Sequence, residues 1–185
     1  NGNNWTEIII TTMADGARSV YAADMDGDGD LDVLSASYYD DTIAWYENGN
    51  AWNKTVVTAT ADSAFAVYAA DMDGDGDLDV LSASSQDDKI AWYENGNNWN
   101  ETVVSTTADS ARSVYAADID GDGDLDVLSA SSGDDKIAWY ENGNSWAETV
   151  ITTSANAAYS VYAADMDGDG DRSEERRVGK ECATG

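Results

Sequence analysis

Aspartates recur in a fixed frame at four places along the 185-residue chain. The first set is Asp24, Asp26, Asp28, Asp30 and Asp32. The second is Asp71, Asp73, Asp75, Asp77 and Asp79, and the third Asp118, Asp120, Asp122, Asp124 and Asp126. A fourth keeps Asp165, Asp167, Asp169 and Asp171 but has Ser173 where its last aspartate would fall. Carboxylates at alternate positions of a short loop can wrap their oxygens around one point. Oxygen-only donors select a hard cation over softer metals. A flexible cage of many oxygens suits calcium better than the smaller magnesium. Counting Asp24 as position 1, glycine stands at position 6 (Gly29, Gly76, Gly123), where such a wrap needs its sharp turn. Without an ion, the four or five carboxylates of one loop would repel each other. The expectation is one calcium in each complete loop, three in all, with the fourth weak or empty.

A helical calcium hand would need a glutamate at position 12. Ser35, Ser82 and Ser129 stand there, and the flanks read as strands. Side chains at positions 1, 3, 5 and 9 and the carbonyl at position 7 are therefore the expected ligands.

The elements that must hold these loops follow from the spacing. Asp24, Asp71, Asp118 and Asp165 are 47 residues apart each time, a period that marks one supersecondary unit copied in tandem. Within the first copy, residues 5–12 are rich in β-branched side chains. Residues 19–25 form a small-residue run into the Asp loop, and 31–37 and 42–48 follow it. Each reads as a strand, separated by polar turns at 14–17, 40–41 and 49–50, with no helical stripe. Four short antiparallel strands per repeat are the content of a propeller blade.

Trp45, Trp92 and Trp139 recur on the fourth of these strands, and Trp5, Trp52, Trp99 and Trp146 on the first. An indole that returns in every copy reads as packing between neighbouring blades, as do Tyr21, Tyr46 and their copies. Glu47, Glu94 and Glu141 are identical residues around an array, whereas glycoside hydrolysis needs one unequal carboxylate pair in one place.

The net charge is −28, from 37 acidic and nine basic residues. Nineteen of the acidic residues lie in the four loops, so bound calcium would offset part of the charge. Nucleic acid is excluded as a partner, because it needs a Lys/Arg face. No apolar run is long enough to span a bilayer. The repeats hold no Cys, Pro or His. From Arg172 the repeat stops in mid-motif. Residues 172–182 resemble the translation of a DNA-sequencing adapter, so residues 172–185 are set apart as a non-native tail and Cys182 carries no meaning.

The run Asp-x-Asp-Gly-Asp-Gly-x-x-Asp, set between a small-residue strand and Leu-Asp-Val-Leu, resembles the FG-GAP/VCBS repeats, whose best-known members are the integrin α-subunit propellers. The resemblance covers residues 1–171. It implies calcium as the metal, a propeller fold usually of seven blades, and a loop joining each blade's first two strands. Phe-Gly is missing, and Ser35-Ala36-Ser37 replaces Gly-Ala-Pro. The Ile-Ala-Trp-Tyr-Glu-Asn-Gly-Asn segment is more similar to bacterial, often secreted, members than to integrins. Integrin-style partner binding therefore does not transfer.

The expected fold is all-β, a propeller fragment with whole blades at 19–59, 66–106 and 113–153 and partial blades at both ends. A closed ring needs at least four blades, so an open arc is expected, with strand edges through which it could self-associate. The Asp loops share one end of each blade with the 48–51 turns. The 13–18 and 38–41 loops share the other, and there the copies diverge: Arg18, Phe65, Arg112 and Tyr159 at one position, Tyr39, Gln86 and Gly133 at another. Variable loops on a fixed scaffold are where recognition usually sits. The leading expectation is a non-catalytic, calcium-stabilised segment of an extracellular (secreted or surface) protein, serving adhesion or ligand binding, with a protein or glycan as the ligand. The alternative is the accessory propeller of a secreted, for instance polysaccharide-degrading, enzyme.

Overall fold

A computed structural model describes residues 6–164. The described residues form twelve strands and no helix, so there is no helix that could cross a membrane. The first blade comprises β1 (Ala17–Ala23), β2 (Asp32–Ser37), β3 (Thr42–Glu47) and β4 (Asn53–Thr58). The second comprises β5 (Ala64–Ala70), β6 (Asp79–Ser84), β7 (Lys89–Glu94) and β8 (Asn100–Ser105). The third comprises β9 (Ala111–Ala117), β10 (Asp126–Ser131), β11 (Lys136–Glu141) and β12 (Ala147–Thr152). Each is a separate four-stranded antiparallel meander, in the order expected for a propeller blade. The three do not close on one another.

Registers repeat from blade to blade. Val33 faces Tyr46, Val80 faces Tyr93 and Val127 faces Tyr140. The same irregularity opens each first strand, between Ala17 and Ser19 in one blade and Ala64 and Ala66 in the next.

Burial explains the composition. The Asp-Val-Leu-Ser-Ala-Ser strands β6 and β10 are buried along their whole length, β6 between two blades and β10 between the second blade and the segment around Val161 and Ala163. Serine and alanine keep these inner layers thin enough for the sheets to approach. Outer strands β4, β8 and β12 stay largely exposed and carry the polar Thr, Lys and Glu. The cores lie between blades. Met25, Leu34, Ile43, Val67 and Tyr93 close the first seam, and Met72, Leu81, Ile90, Val114 and Tyr140 the second.

The tryptophans behave as the repeat predicts. Trp45 on β3 meets Trp99 of the next blade edge to face, with ring centroids 6.3 Å apart. Trp92 and Trp146 pack against the second seam. Tyr21, Tyr68, Tyr115 and Tyr162 form a ladder across the first strands of successive repeats, with centroids 4.7, 4.8 and 4.8 Å apart. Burial, with help from the neighbouring tyrosine hydroxyls, pushes the Tyr68 phenol above its usual range.

The ends differ from the expectation. Residues 6–12 and 160–164 carry no strand, although 5–12 and 160–166 read as the outer and inner strands of flanking blades. A strand is defined by its ladder, and neither segment has a partner strand of its own sheet among the described residues. Residues 7–12 instead lie along the first blade, where they line a cavity of about 420 Å³ with Ala17, Val20, Val33, Ser35 and Tyr46. Among the described residues they cover that face only partly: Val20 is 70% exposed, against 5% for Val67 and 6% for Val114. The fourth loop (Asp165, Asp167, Asp169, Asp171), residues 1–5 and the tail lie outside the described residues.

Candidate metal centre

Each Asp loop joins the first two strands of its blade, between β1 and β2, β5 and β6, and β9 and β10. The apolar residue at position 2 turns inward and anchors it. Met25, Met72 and Ile119 are each 3% exposed, while positions 3 to 7 remain in solvent in the first two loops. Gly27 and Gly29 both take left-handed backbone, with φ of 75° and 94°. These are the conformations that turn the loop back on itself and that only glycine adopts freely.

In the first loop Asp24, Asp26 and Asp32 each bring a carboxylate oxygen to within 4.8 Å of the others. Asp71, Asp73 and Asp79 do the same in the second loop, and Asp118, Asp120 and Asp122 in the third. The structure thus gathers positions 1 and 3 in all three described loops, with position 9 in two of them and position 5 in the other. Asp28 and Asp75, at position 5, lie outside these sets, as do Asp30, Asp77 and Asp124 at position 7 and Asp126 at position 9.

The loop positions are not equivalent. Position 1 organises the backbone: Asp71 accepts N–H bonds from Gly74 at 2.8 Å and Gly76 at 3.1 Å. Asp118 accepts the same pair, from Gly121 and Gly123. Position 9 is structural as well as acidic. Asp79 is 1% exposed and accepts from Met72 N at 3.0 Å and Asn95 N at 2.8 Å. Asp32 accepts from Met25 and Asn48, and Asp126 from Ile119 and Asn142. Burial pushes the Asp79 and Asp126 carboxyls up to about 6, against the pull of those N–H donors, and the neighbouring loop carboxylates add to the rise. Converged, oxygen-only, partly buried carboxylates that repel one another fit a hard divalent cation. A calcium ion held there would supply the positive charge that this acidic cluster lacks.

The recurrent asparagine of the 48–51 turn was not read as functional from the sequence, yet it ties the loops together. The Asn95 side-chain amide donates to Leu78 O in its own loop at 3.1 Å and to Met25 O in the preceding blade's loop at 3.0 Å. Asn142 repeats this with Leu125 O and Met72 O, both at 3.1 Å. A continuous path runs Asp32–Met25–Asn95–Asp79–Met72–Asn142–Asp126 through the three loops. Only its 47-residue recurrence could have pointed to it.

The recurrent glutamates are structural. Glu47, Glu94 and Glu141 each accept the amide of the asparagine three residues on, at 2.8, 2.8 and 3.0 Å. The same turn holds consecutive left-handed residues, Ala51 and Trp52 with φ of 53° and 56°, closed by Asn53 N to Asn50 O. In the next copy this turn aims Trp99 at Trp45 of the preceding blade.

At the opposite rim the divergent residues meet. Arg18 lies 4.8 Å from the Tyr38 ring centre and 5.7 Å from that of Phe65. Arg112 lies 4.4 Å from Phe65 and 5.6 Å from Tyr159. Tyr39 packs over Gly16, where a Cβ would overlap its ring, and Asp109 packs over Gly133 in the same way. Gln86 stays exposed at the corresponding turn of the second blade.

The model of the FG-GAP-like repeat matches residues 1–35, 24–82, 71–129 and 118–172. The chain belongs to this repeat family. No curated protein matches it. Among solved structures, virginiamycin B lyase from Staphylococcus aureus superposes with a TM-score of 0.55 at 10% identity, over 80% of this chain and 45% of that one. A lectin from Agrocybe aegerita, described as recognising non-reducing terminal N-acetylglucosamine, gives 0.54 at 19% identity, over 82% and 45%. The V. cholerae biofilm matrix protein Bap1 gives 0.50 at 23% identity, over 91% and 30%. The chain spans less than half the length of each, and these likenesses establish the fold.

Proposed function

We propose that this FG-GAP-like repeat segment is a calcium-stabilised, non-catalytic recognition module of an extracellular, secreted or surface protein. The observation that carries the reading is the division of labour between the two ends of each blade. One end repeats an acidic loop whose carboxylates converge. The other presents residues that differ from copy to copy, around Arg18, Phe65, Arg112 and Tyr159. Calcium sets the scaffold, and the divergent rim meets a ligand. Asp24, Asp26, Asp28 and Asp32 and their copies in the next two loops are the proposed side-chain ligands, with Asp30, Asp77 and Asp124 contributing their carbonyls. Asp165, Asp167, Asp169 and Asp171 complete a fourth, weaker site.

The extracellular setting follows from the ion. Extracellular modules bind calcium with Kd of about 10⁻⁴ to 10⁻³ M, a range that only calcium outside the resting cytosol fills. A lectin and a biofilm matrix protein among the structures of similar fold agree with that setting.

The test is to probe an array of glycans and matrix proteins with the calcium-loaded chain. A retained ligand lost on substitution at the rim supports the reading. A blank array, with the chain folded and calcium bound, would leave a purely structural stalk instead.

A further inference from the structure

The rim residues form one connected cluster. Arg18 and Arg112 are the only arginines among the described residues, in a chain of net charge −28. They stand in alternate repeats yet share one ring, with Phe65 at 5.7 and 4.4 Å. Phe65 in turn reaches Tyr159 of the fourth repeat, at a centroid distance of 6.5 Å, past Arg112 between them. The side chains at this position therefore lean together.

Neither guanidinium has a carboxylate partner among the described residues. The lysines differ: Lys89 pairs with Glu101 at 2.8 Å and Lys136 with Glu148 at 2.8 Å. Arg112 donates once, from Nε to Ser132 Oγ at 2.9 Å, and the rest of its fork has no acceptor among the described residues. Two cations over one ring repel each other, and ring contact satisfies none of their in-plane N–H groups. A planar fork with open edges is what pairs bidentately with a carboxylate.

Resting on the proposed reading of this rim as the recognition surface, we infer that it binds an acidic polysaccharide, with the carboxylates of uronate residues on Arg18 and Arg112. The surroundings favour a saccharide over an acidic peptide. Tyr39 and Tyr159 are 67% and 59% exposed, offering ring faces to the C–H face of a sugar. Main-chain donors of the rim turns are already used: Tyr38 N donates to Gly16 O, Tyr39 N to Asp15 O and Ser85 N to Ser63 O. An extended peptide would leave its own amides without partners there. Asp15, Asp62 and Asp109 are exposed in the adjoining loops, where they can accept sugar hydroxyls. Guanidinium groups on alternate repeats suit a ligand whose acid groups recur along a chain.

Calorimetry on the calcium-loaded chain tests this with an oligomer of galacturonic acid, its methyl ester and an acidic peptide of matched charge. The acid should bind and the ester and peptide should not. Arg18→Gln and Arg112→Gln should each weaken the acid by about tenfold or more, as expected for a lost charge-assisted pair. The melting midpoint of each variant, unchanged, certifies its fold. Equal binding of acid and ester, or of peptide and acid, would overturn the inference. So would acid binding indifferent to both arginines, which would mean the ligand bridges through calcium at the Asp loops. If the ester binds at the rim as well as the acid, recognition there stands and the acid specificity falls; if neither binds, the acid inference falls, and the recognition reading falls only if the glycan and matrix-protein array is blank too.

Discussion

The side-chain amide of Asn95 donates to the carbonyl of Met25, 3.0 Å away and 70 residues earlier in the chain. Its main-chain N–H is held by Asp79, and the Met25 N–H by Asp32. One asparagine thus connects the position-9 aspartates of two successive acidic loops. In a repeat array each unit contacts only its neighbours, so stability divides into repeat terms and interface terms. This bond belongs to the interface.

The first repeat supplies an internal control. Asn48 makes the bond within its own loop, to Leu31 O at 3.1 Å, but has no described partner in a preceding blade. Asn95→Ala should therefore cost more than Asn48→Ala in denaturant unfolding, by about 0.5–1.5 kcal/mol for one hydrogen bond. Calcium titration of Asn95→Ala should also lose steepness, because the path between the first two loops is cut. Equal costs for the two variants would remove this bond from the interface energy.

Two aspartates of one loop should separate the structural role from the metal role. Asp79→Ala strips the acceptor from one buried and one half-buried N–H group and should cost at least about 2 kcal/mol, with or without chelator. Asp73 is exposed and accepts one loop N–H at 3.2 Å. Asp73→Ala should stay within about 0.5 kcal/mol of the parent in chelator. In calcium it should forfeit the increment from its site, about 1.4 kcal/mol when free calcium is about tenfold above Kd. Paired melts in calcium and in chelator read both numbers.

The left-handed turn offers a stabilising change. Ala51 sits at φ 53°. An L-residue there costs about 1–2 kcal/mol, of which glycine's greater freedom in the unfolded chain returns about 0.4–1. Ala51→Gly should raise the melting midpoint by a few degrees at most, and a lower midpoint would show that the alanine methyl packs usefully.

The partly covered face of the first blade, apolar at Val20, predicts association. Its Val20 occupies the position that Val67 and Val114 bury against a preceding blade. A head-to-tail contact of this kind is heterologous and need not close. Sedimentation should show concentration-dependent association that Val20→Glu suppresses.

The blades were legible in the sequence because a 47-residue period repeats every strand, turn and loop, and each copy reads the others. The acidic loops were legible too, since alternate aspartates with glycine at position 6 leave little else to build. What escaped detection acts across blades. Ser19 Oγ receives Val67 N, and Asn142 reaches Met72, at separations of 48 and 70 residues that no local pattern encodes. Arg18, Phe65, Arg112 and Tyr159 read as divergence at one position. Blade geometry makes them an alternating stack of cation and ring. The twin roles of Asp79, buried acceptor and proposed ligand, also depend on where Met72 and Asn95 fall in space.

Calcium uptake tests the central claim most directly. The chelated chain, titrated with calcium, should take up three ions in the complete loops, and its melting midpoint should climb as they fill. Absence of uptake, with a midpoint unmoved between calcium and chelator, would contradict a metal-locked array.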